Sequence, residues 1–264
     1  MTCKIFKFTI CVFFLISCVV LSADQNAVKP SHLNKTEREK IILSARHINA
    51  PGERIMAISR NFLAAPYVAD TLIGGPQKME QLVIDPAGFD CFTLLDVVEA
   101  LRRASDVNDF PEQLKQVRYR DGKVSYESRR HFFSDWVAGD SAMVGDVTSR
   151  VGQGKTQVAA KQLNLRSDGT YWLPEIPVRR RNITYIPAVK IDTNVLSGLQ
   201  AGDYVGIYSD DEGLDVSHTG IIVKDKGSIM MRHASSRVDA GRVVDVNLLE
   251  YLRDKPGLVV YRVK

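Results

Sequence analysis

The sequence predicts an α+β fold. Apolar residues recur at helical spacing through the N-terminal part, up to Leu101, and the C-terminal part from Ala201 to Val263 breaks into short apolar runs separated by turn residues. Short antiparallel strands after a helical half are the pattern of helices packed against a sheet. At 264 residues, 45% of them hydrophobic, the chain is long enough to bury a sizeable core. Its formal charge of +4 falls to +2 without Lys4 and Lys7, which leaves 33 basic against 31 acidic residues. That balance is too even to argue for a nucleic-acid partner.

Residues 1–22 read as a signal peptide: Lys4 and Lys7, then an uncharged apolar run from Phe8 to Leu21, short for a membrane span. Two processing sites compete. Val20-Leu21-Ser22 or Leu21-Ser22-Ala23 offers small residues to a signal peptidase. Leu15-Ile16-Ser17-Cys18 resembles a lipoprotein box that would place a lipid on Cys18. Val19, Val20 and Leu21 are more apolar than a usual lipoprotein start, which favours cleavage without the lipid. Residues 23–34 are polar and expected to be a flexible lead-in, with a single domain over 35–264.

Thr36 with Glu39 makes a capping-box pattern ahead of Ile41, Ile42 and Ala45, so a first helix is expected to about His47. Pro51 suits the first turn of a second helix carrying Ile55, Ile58 and Phe62. Ala65-Pro66-Tyr67 ends the helical stretch, Gly74-Gly75-Pro76 marks a loop, and Gln81 to Asp85 reads as a short strand. After the turn Asp85-Pro86-Ala87-Gly88, Leu94, Leu95, Val98 and Leu101 form a helical stripe with Asp90 as N-cap and Cys91 as first residue. Asp121-Gly122 between Val117–Arg120 and Lys123–Tyr126 is the best hairpin signal. His131 to Trp136 is an aromatic cluster, and Gly154-Lys155-Thr156 lacks the earlier glycine of a phosphate loop, where Ser149 stands. Strands are expected over Tyr204–Tyr208, Ser217–Lys224, Ser228–Ala234 and Gly257–Val263, with a short helix over Asn247–Arg253.

Cys3, Cys11 and Cys18 lie in the targeting segment, so the mature chain keeps one thiol, Cys91. An exported protein that cannot make an internal disulfide and keeps one cysteine points to a reactive role. The helix start stabilises an anion there, which predicts a lowered thiol pKa and rapid alkylation at mildly acidic pH. His32 lies in the lead-in, His47 ends an exposed helix, and His131 reads as packing. His218 and His233 differ, because the last hairpin brings them together. A loop centred on Asp225-Lys226 sets them directly opposite; one centred on Lys226-Gly227 leaves them diagonal neighbours. A thiol at a helix start and two adjacent imidazoles are the parts of a cysteine hydrolase. Two plainer readings stand beside it: strand histidines satisfied by backbone groups, and a zinc site made of one cysteine and two histidines.

Ala65-Pro66-Tyr67, Phe89-Asp90-Cys91, Asp203 to Ile207, Val216 to Ile221 and Arg232 to Ser236 occur in that order. Together they resemble the NlpC-type cysteine amidases of bacterial cell walls. Arg118 to Gly122, Phe132 to Trp136 and Tyr185-Ile186-Pro187 are similar to the N-acetylmuramoyl-L-alanine amidase-like branch, over roughly residues 55–262. The resemblance implies a papain-like core, with the Cys91 helix packed on the C-terminal antiparallel sheet and a large insertion at about 106–200 forming the cleft. It implies Cys91 as nucleophile, His218 as general base and His233 as the orienting residue. Tyr67 would lie beside the nucleophile and share the oxyanion with the Cys91 N–H. Asp90, Ser217, Trp136 and Arg120 are further substrate-contact candidates. Phe92 stands where this branch often has a small hydroxyl residue, which predicts a shifted pocket wall. Arg118, Arg120, Trp136, Trp172 and Arg179 to Arg181 are expected in the cleft walls, where aromatics stack on sugar rings and arginines hold carboxylates.

The expected activity is hydrolysis of the amide between N-acetylmuramic acid and L-alanine, in peptidoglycan or anhydro-muropeptide fragments. The alternatives are a γ-D-glutamyl–diaminopimelate endopeptidase using the same three residues, an inactive cell-wall-binding module, and a zinc hydrolase. A periplasmic monomer is expected, without cofactor or metal, touching a membrane only through a lipid on Cys18.

Overall fold

The computed structural model describes residues 33–139, 143–225 and 227–264. The targeting segment, Cys18 and most of the lead-in lie outside the described residues. Four helices and a small hairpin come first: α1 (Lys35–Ala45), α2 (Pro51–Arg60), β1 (Ile73–Gly75), β2 (Lys78–Gln81), α3 (Cys91–Arg103) and α4 (Phe110–Arg118). Then follow β3 (Val144–Asp146), α5 (Thr148–Gly152), β4 (Gln157–Leu163), β5 (Arg179–Pro187) and α6 (Thr193–Gly198). The chain ends with β6 (Tyr204–Tyr208), β7 (Val216–Asp225), β8 (Ser228–Ala234), β9 (Val243–Asn247), α7 (Leu248–Leu252) and β10 (Gly257–Val263). The α+β class is thus the observed one.

Eight strands make one antiparallel sheet in the order β4-β5-β10-β6-β7-β8-β9, with β3 pairing the far end of β10. Alternate residues face opposite sides of a strand, and both sides are covered. Tyr204, Ile221, Ala234, Val259 and Tyr261 belong to the core with α1–α4. Val205, Ile207, Ile222, Met231 and Val260 pack instead with Val151, Val195, Leu248 and Leu252 from α5, α6 and α7. Helix α3 is buried from Thr93 to Leu101, so even its polar residues need partners. Arg118 reaches Asp96 at 2.9 Å, while Arg102 and the Tyr204 hydroxyl reach Glu99 at 2.7 and 2.8 Å. Truncating Leu95 there would cost about 2–5 kcal/mol, since it is fully buried.

Several sequence expectations shift. The first helix is capped by Asn34 with Glu37, not Thr36 with Glu39, which draws residues 33 and 34 of the lead-in into the fold. The Gly74-Gly75-Pro76 stretch belongs to the β1–β2 hairpin rather than a loop, with Gly74 and Gly75 ending β1 and the turn at Pro76-Gln77, and only Gln81 of the Gln81–Asp85 run is in a strand. The hairpin expected at Asp121-Gly122 is absent, because Phe110, Leu114 and Val117 recur at helical spacing and bury as α4. The turn chemistry itself is present: Asp121 and Gly122 take positive φ of 55° and 63°. The 106–200 stretch walls the cleft only in part, since α4 joins the core and β3, β4 and β5 extend the sheet.

The β7–β8 register follows the diagonal alternative. Asp225 pairs with Ser228 and Val223 with Met230, and Gly227, between the strands, has φ of 83°. A two-residue turn with glycine at positive φ suits the strand twist better than a longer loop.

Candidate active site

Cys91 is the first residue of α3, where the polypeptide leaves the turn that follows Ile84. The Asp90 carboxylate accepts from the N–H groups of Phe92 and Thr93 at 2.9 and 2.7 Å, and the Thr93 hydroxyl accepts from Asp90 N–H at 3.0 Å. Such a cap is worth about 1 kcal/mol and fixes the direction of the first turn. From the sheet, the Thr219 hydroxyl on β7 donates to the Cys91 carbonyl at 2.8 Å, tying the thiol-bearing turn to the residue next to His218.

The cap and the thiol act against each other. A helix start lowers a thiol pKa through its free N–H groups and positive end, but here Asp90 consumes two of those donors and adds a negative charge. Burial pushes the Cys91 thiol up, and Asp90 pushes it further; the hydroxyl and N–H of Thr219 pull it only partly back. The expected preformed thiolate is therefore corrected: Cys91 rests as a thiol.

His218 and His233 meet despite the shifted register. Their Nε2 and Nδ1 atoms are 2.7 Å apart, with the rings nearly perpendicular at 85°. Burial, with the neighbouring His233 and Lys255 charges, lowers His218 to about 3. Burial lowers His233 to about 4 against the pull of Asp245. Both rings are neutral at neutral pH, so one must donate and the other accept. If His218 Nε2–H is the donor, its Nδ1 keeps a lone pair. Two ring nitrogens pointed at one another in this way are not converging on a shared ion. Among the described residues, no group of three or more His, Cys, Asp or Glu side chains is arranged to hold a metal.

Tyr251 on α7 covers both rings, 5.1 Å from His233 and 6.0 Å from His218. The phenols of Tyr67 and Tyr251 are both raised by burial and then by the charge of Cys91, so both lie within electrostatic reach of the thiol. Tyr67 is held by its N–H on the Gly241 carbonyl at 2.8 Å and by a bridge to Phe89.

A pocket of about 290 Å³ opens at Cys91, with Phe92, His131, Trp172, Asp215 and His218 among its walls. Trp172 belongs to the β4–β5 connection, which Asn164 braces through the Leu173 and Ile176 carbonyls at 2.9 and 2.6 Å. The indole N–H donates to the Glu212 carbonyl at 2.9 Å, and Arg166 lies 4.1 Å over the ring. A model of the AmiA-like, N-acetylmuramoyl-L-alanine amidase-like family matches residues 57–258. The chain belongs to that family. A crystal structure of an N-acetylmuramoyl-L-alanine amidase from Bacteroides uniformis is 28% identical with a TM-score of 0.68, over 81% of this chain and 99% of that one. A Bacteroides fragilis protein provisionally named a xylanase is also 28% identical, TM-score 0.64, over 78% and 98%. A Legionella pneumophila protein of the DUF1460 family shares the fold at 23% identity, TM-score 0.71, over 87% and 94%. No curated protein matches the chain.

Within this amidase-like chain the remaining candidates separate. Ser217 is exposed beside His218 and lines the pocket. Asp90 serves the helix through Oδ1, as described. Trp136 does not reach the cleft: it is fully buried against Phe92, Phe133 and Tyr204. Trp172, 38% exposed, is the cleft tryptophan instead. Arg120 bonds the Glu127 carbonyl, feels the charges of Arg179, Arg181 and Asp135, and is not among the residues lining this pocket. Arg118 is spent on Asp96, and Arg179 and Arg181 on Asp135 at 2.7 and 2.6 Å, which among the described residues leaves exposed Arg180 as the member of the basic run without an ion pair. Sequence reasoning missed Tyr251 and Thr219. Thr219 could have been found, since strand alternation turns it away from His218 toward α3; Tyr251 carried no signal.

Proposed function

We propose that this chain is an exported cysteine amidase that cleaves the bond between the lactyl group of N-acetylmuramic acid and L-alanine, in peptidoglycan or its anhydro-muropeptide fragments. The observation that carries the reading is the hydrogen-bonded His218–His233 pair, with His218 lining the same pocket as Cys91, the one free thiol among the described residues, at a helix start. The helix bearing Cys91 against an antiparallel sheet bearing both histidines is also the arrangement of a papain-like, NlpC-type core. The uncharged apolar run from Phe8 to Leu21 supports export to the periplasm.

In the proposed reaction His218 Nδ1 takes the Sγ proton as the thiolate attacks the lactyl carbonyl. The oxyanion is held by the Cys91 N–H and the Tyr67 hydroxyl, an arrangement in which one donor is worth about a hundredfold to a thousandfold in rate. His218 then passes the proton to the leaving alanine nitrogen, and the C–N bond breaks to leave a thioester. Water, deprotonated by the same imidazole, releases the sugar acid and restores the thiol. A resting thiol fits this order, because the proton moves only when substrate is present.

Trp172 favours the sugar-side bond over the γ-D-glutamyl–diaminopimelate bond, which would place peptide rather than a sugar ring on the acyl side. A glycosidase would need two carboxylates flanking the bond, about 5–9.5 Å apart. The pocket wall holds only Asp215, whose oxygens accept from the Ser134 and Val216 N–H groups. Mass spectrometry of defined muropeptides after incubation reads the cleaved bond. Free stem peptide plus intact sugar is expected; cleavage after D-glutamate, or within the glycan, would overturn the assignment. Excess EDTA should leave turnover intact, and a loss restored by zinc would favour a metal enzyme.

A further inference from the structure

We propose that the second pocket at His218, between Tyr251 and residues 235–237, is the leaving-group subsite and takes a carboxylate of the departing peptide. The inference rests on the amidase reading and adds the direction in which substrate lies. An imidazole that protonates a leaving amine must face the leaving group. His218 and Ser217 line two pockets: the one shared with Cys91 and Trp172, and another of about 260 Å³ shared with His233, Tyr251 and Lys255. If the first takes the sugar and acyl carbon, the second receives the amine and its peptide.

The chemistry of the second pocket matches an acidic peptide. Ser235, Arg237 and Lys255 line it, and none of its lining residues is acidic. Arg237 is half-committed, its guanidinium held by Asp239 at 3.0 Å through two nitrogens. Lys255 is different: among the described residues it has no carboxylate partner, and its ammonium lies 5.7 Å from the Tyr251 ring centre. That ammonium is near enough to His218 to act on its charge. A cation at this spot disfavours imidazolium in the empty enzyme, and a carboxylate arriving there with the substrate cancels it. Among stem-peptide groups, the α-carboxylate of a γ-linked D-glutamate following L-alanine is the nearest acid to the scissile nitrogen.

The probe is the free dipeptide L-Ala-γ-D-Glu against its amide, L-Ala-D-isoglutamine, titrated into the Cys91→Ala protein by calorimetry. The acid should bind about twofold to fivefold tighter at low salt, the range of one exposed ion pair, and added salt should shrink the preference. Lys255→Met should abolish the preference and Lys255→Arg should keep it; melting curves check that both variants fold. Equal binding of the two dipeptides, or a preference that survives Lys255→Met, overturns the proposal. Muropeptide hydrolysis by the unaltered protein is scored separately. Absent hydrolysis with a Lys255-dependent preference sinks the amidase reading and leaves only a carboxylate-binding site, while normal hydrolysis without preference sinks only the subsite.

Discussion

His218 Nε2 stands 2.7 Å from His233 Nδ1, and no other hydrogen bond holds the far nitrogen of His233 among the described residues. His233 is thus positioned by packing against Tyr251 and by His218 itself, and its contribution to His218 is a single acceptor. An acceptor of similar reach can replace it. His218→Ala should therefore be as damaging as Cys91→Ala, about a million-fold in kcat by comparison with other nucleophile–base pairs. His233→Asn or His233→Gln should keep measurable turnover, while His233→Leu should not. A near-active His218→Ala beside a dead His233→Asn would reverse the roles.

Asp90 and Cys91 are coupled in the opposite sense to a simple helix-dipole argument. Removing the charge while keeping a capping side chain should release the thiol. Asp90→Asn is expected to speed iodoacetamide labelling of Cys91 several-fold at pH 7, and labelling of the unaltered protein should climb steadily as pH is raised through the ordinary thiol range. Rapid labelling of the unaltered protein at mildly acidic pH would mean a thiolate is already present and the burial argument is wrong.

That reversal shows where a sequence can and cannot be read. The strands Tyr204–Tyr208, Ser228–Ala234 and Gly257–Val263 occur with the expected bounds, because short apolar runs between turn residues are local signals. Asp90 as cap and Cys91 as first helical residue were legible for the same reason. The Asp121-Gly122 hairpin failed because turn residues give the turn but not what precedes it; the helical period of Phe110, Leu114 and Val117 outweighed it. What the thiol feels depends on burial and on which N–H groups the cap consumes, both set by packing. Tyr251 meets the histidines only because β9 and α7 fold back under β8, a long-range event with no local trace.

The two tryptophans make a paired test. Trp136 is core, so Trp136→Ala should cost about 3–5 kcal/mol of stability, seen as a lowered urea midpoint. Trp172 is braced and exposed, so Trp172→Ala should leave the midpoint nearly unchanged. It should raise KM for a sugar-bearing muropeptide about threefold to tenfold, the range of an aromatic face contact. An N-acetyl-alanyl peptide lacking the sugar should be cut equally well by both proteins. A matching loss on the sugarless substrate would make Trp172 a wall rather than a sugar platform.

Tyr251 packs over both histidine rings. Burial is the main cause holding His218 near 3 and His233 near 4, against an ordinary 6.5. A base with so low a pKa stays unprotonated into acid, so the acid limb of kcat/KM in the unaltered enzyme should lie well below pH 6. Tyr251→Ala admits water, which should lift both values toward 6.5 and move the limb up; Tyr251→Phe keeps the cover and should keep the limb. Stability gives an independent readout. Unfolded imidazoles bind protons below 6.5 that the folded pair refuses until about 3 to 4. The unfolded state therefore carries more protons in that window, and stability falls as pH drops through it. Tyr251→Ala should flatten this part of the curve, measured by urea unfolding from pH 7 to pH 4, even if the variant is less stable throughout. An unmoved acid limb together with an unchanged slope would show that Tyr251 does not keep the histidines dry.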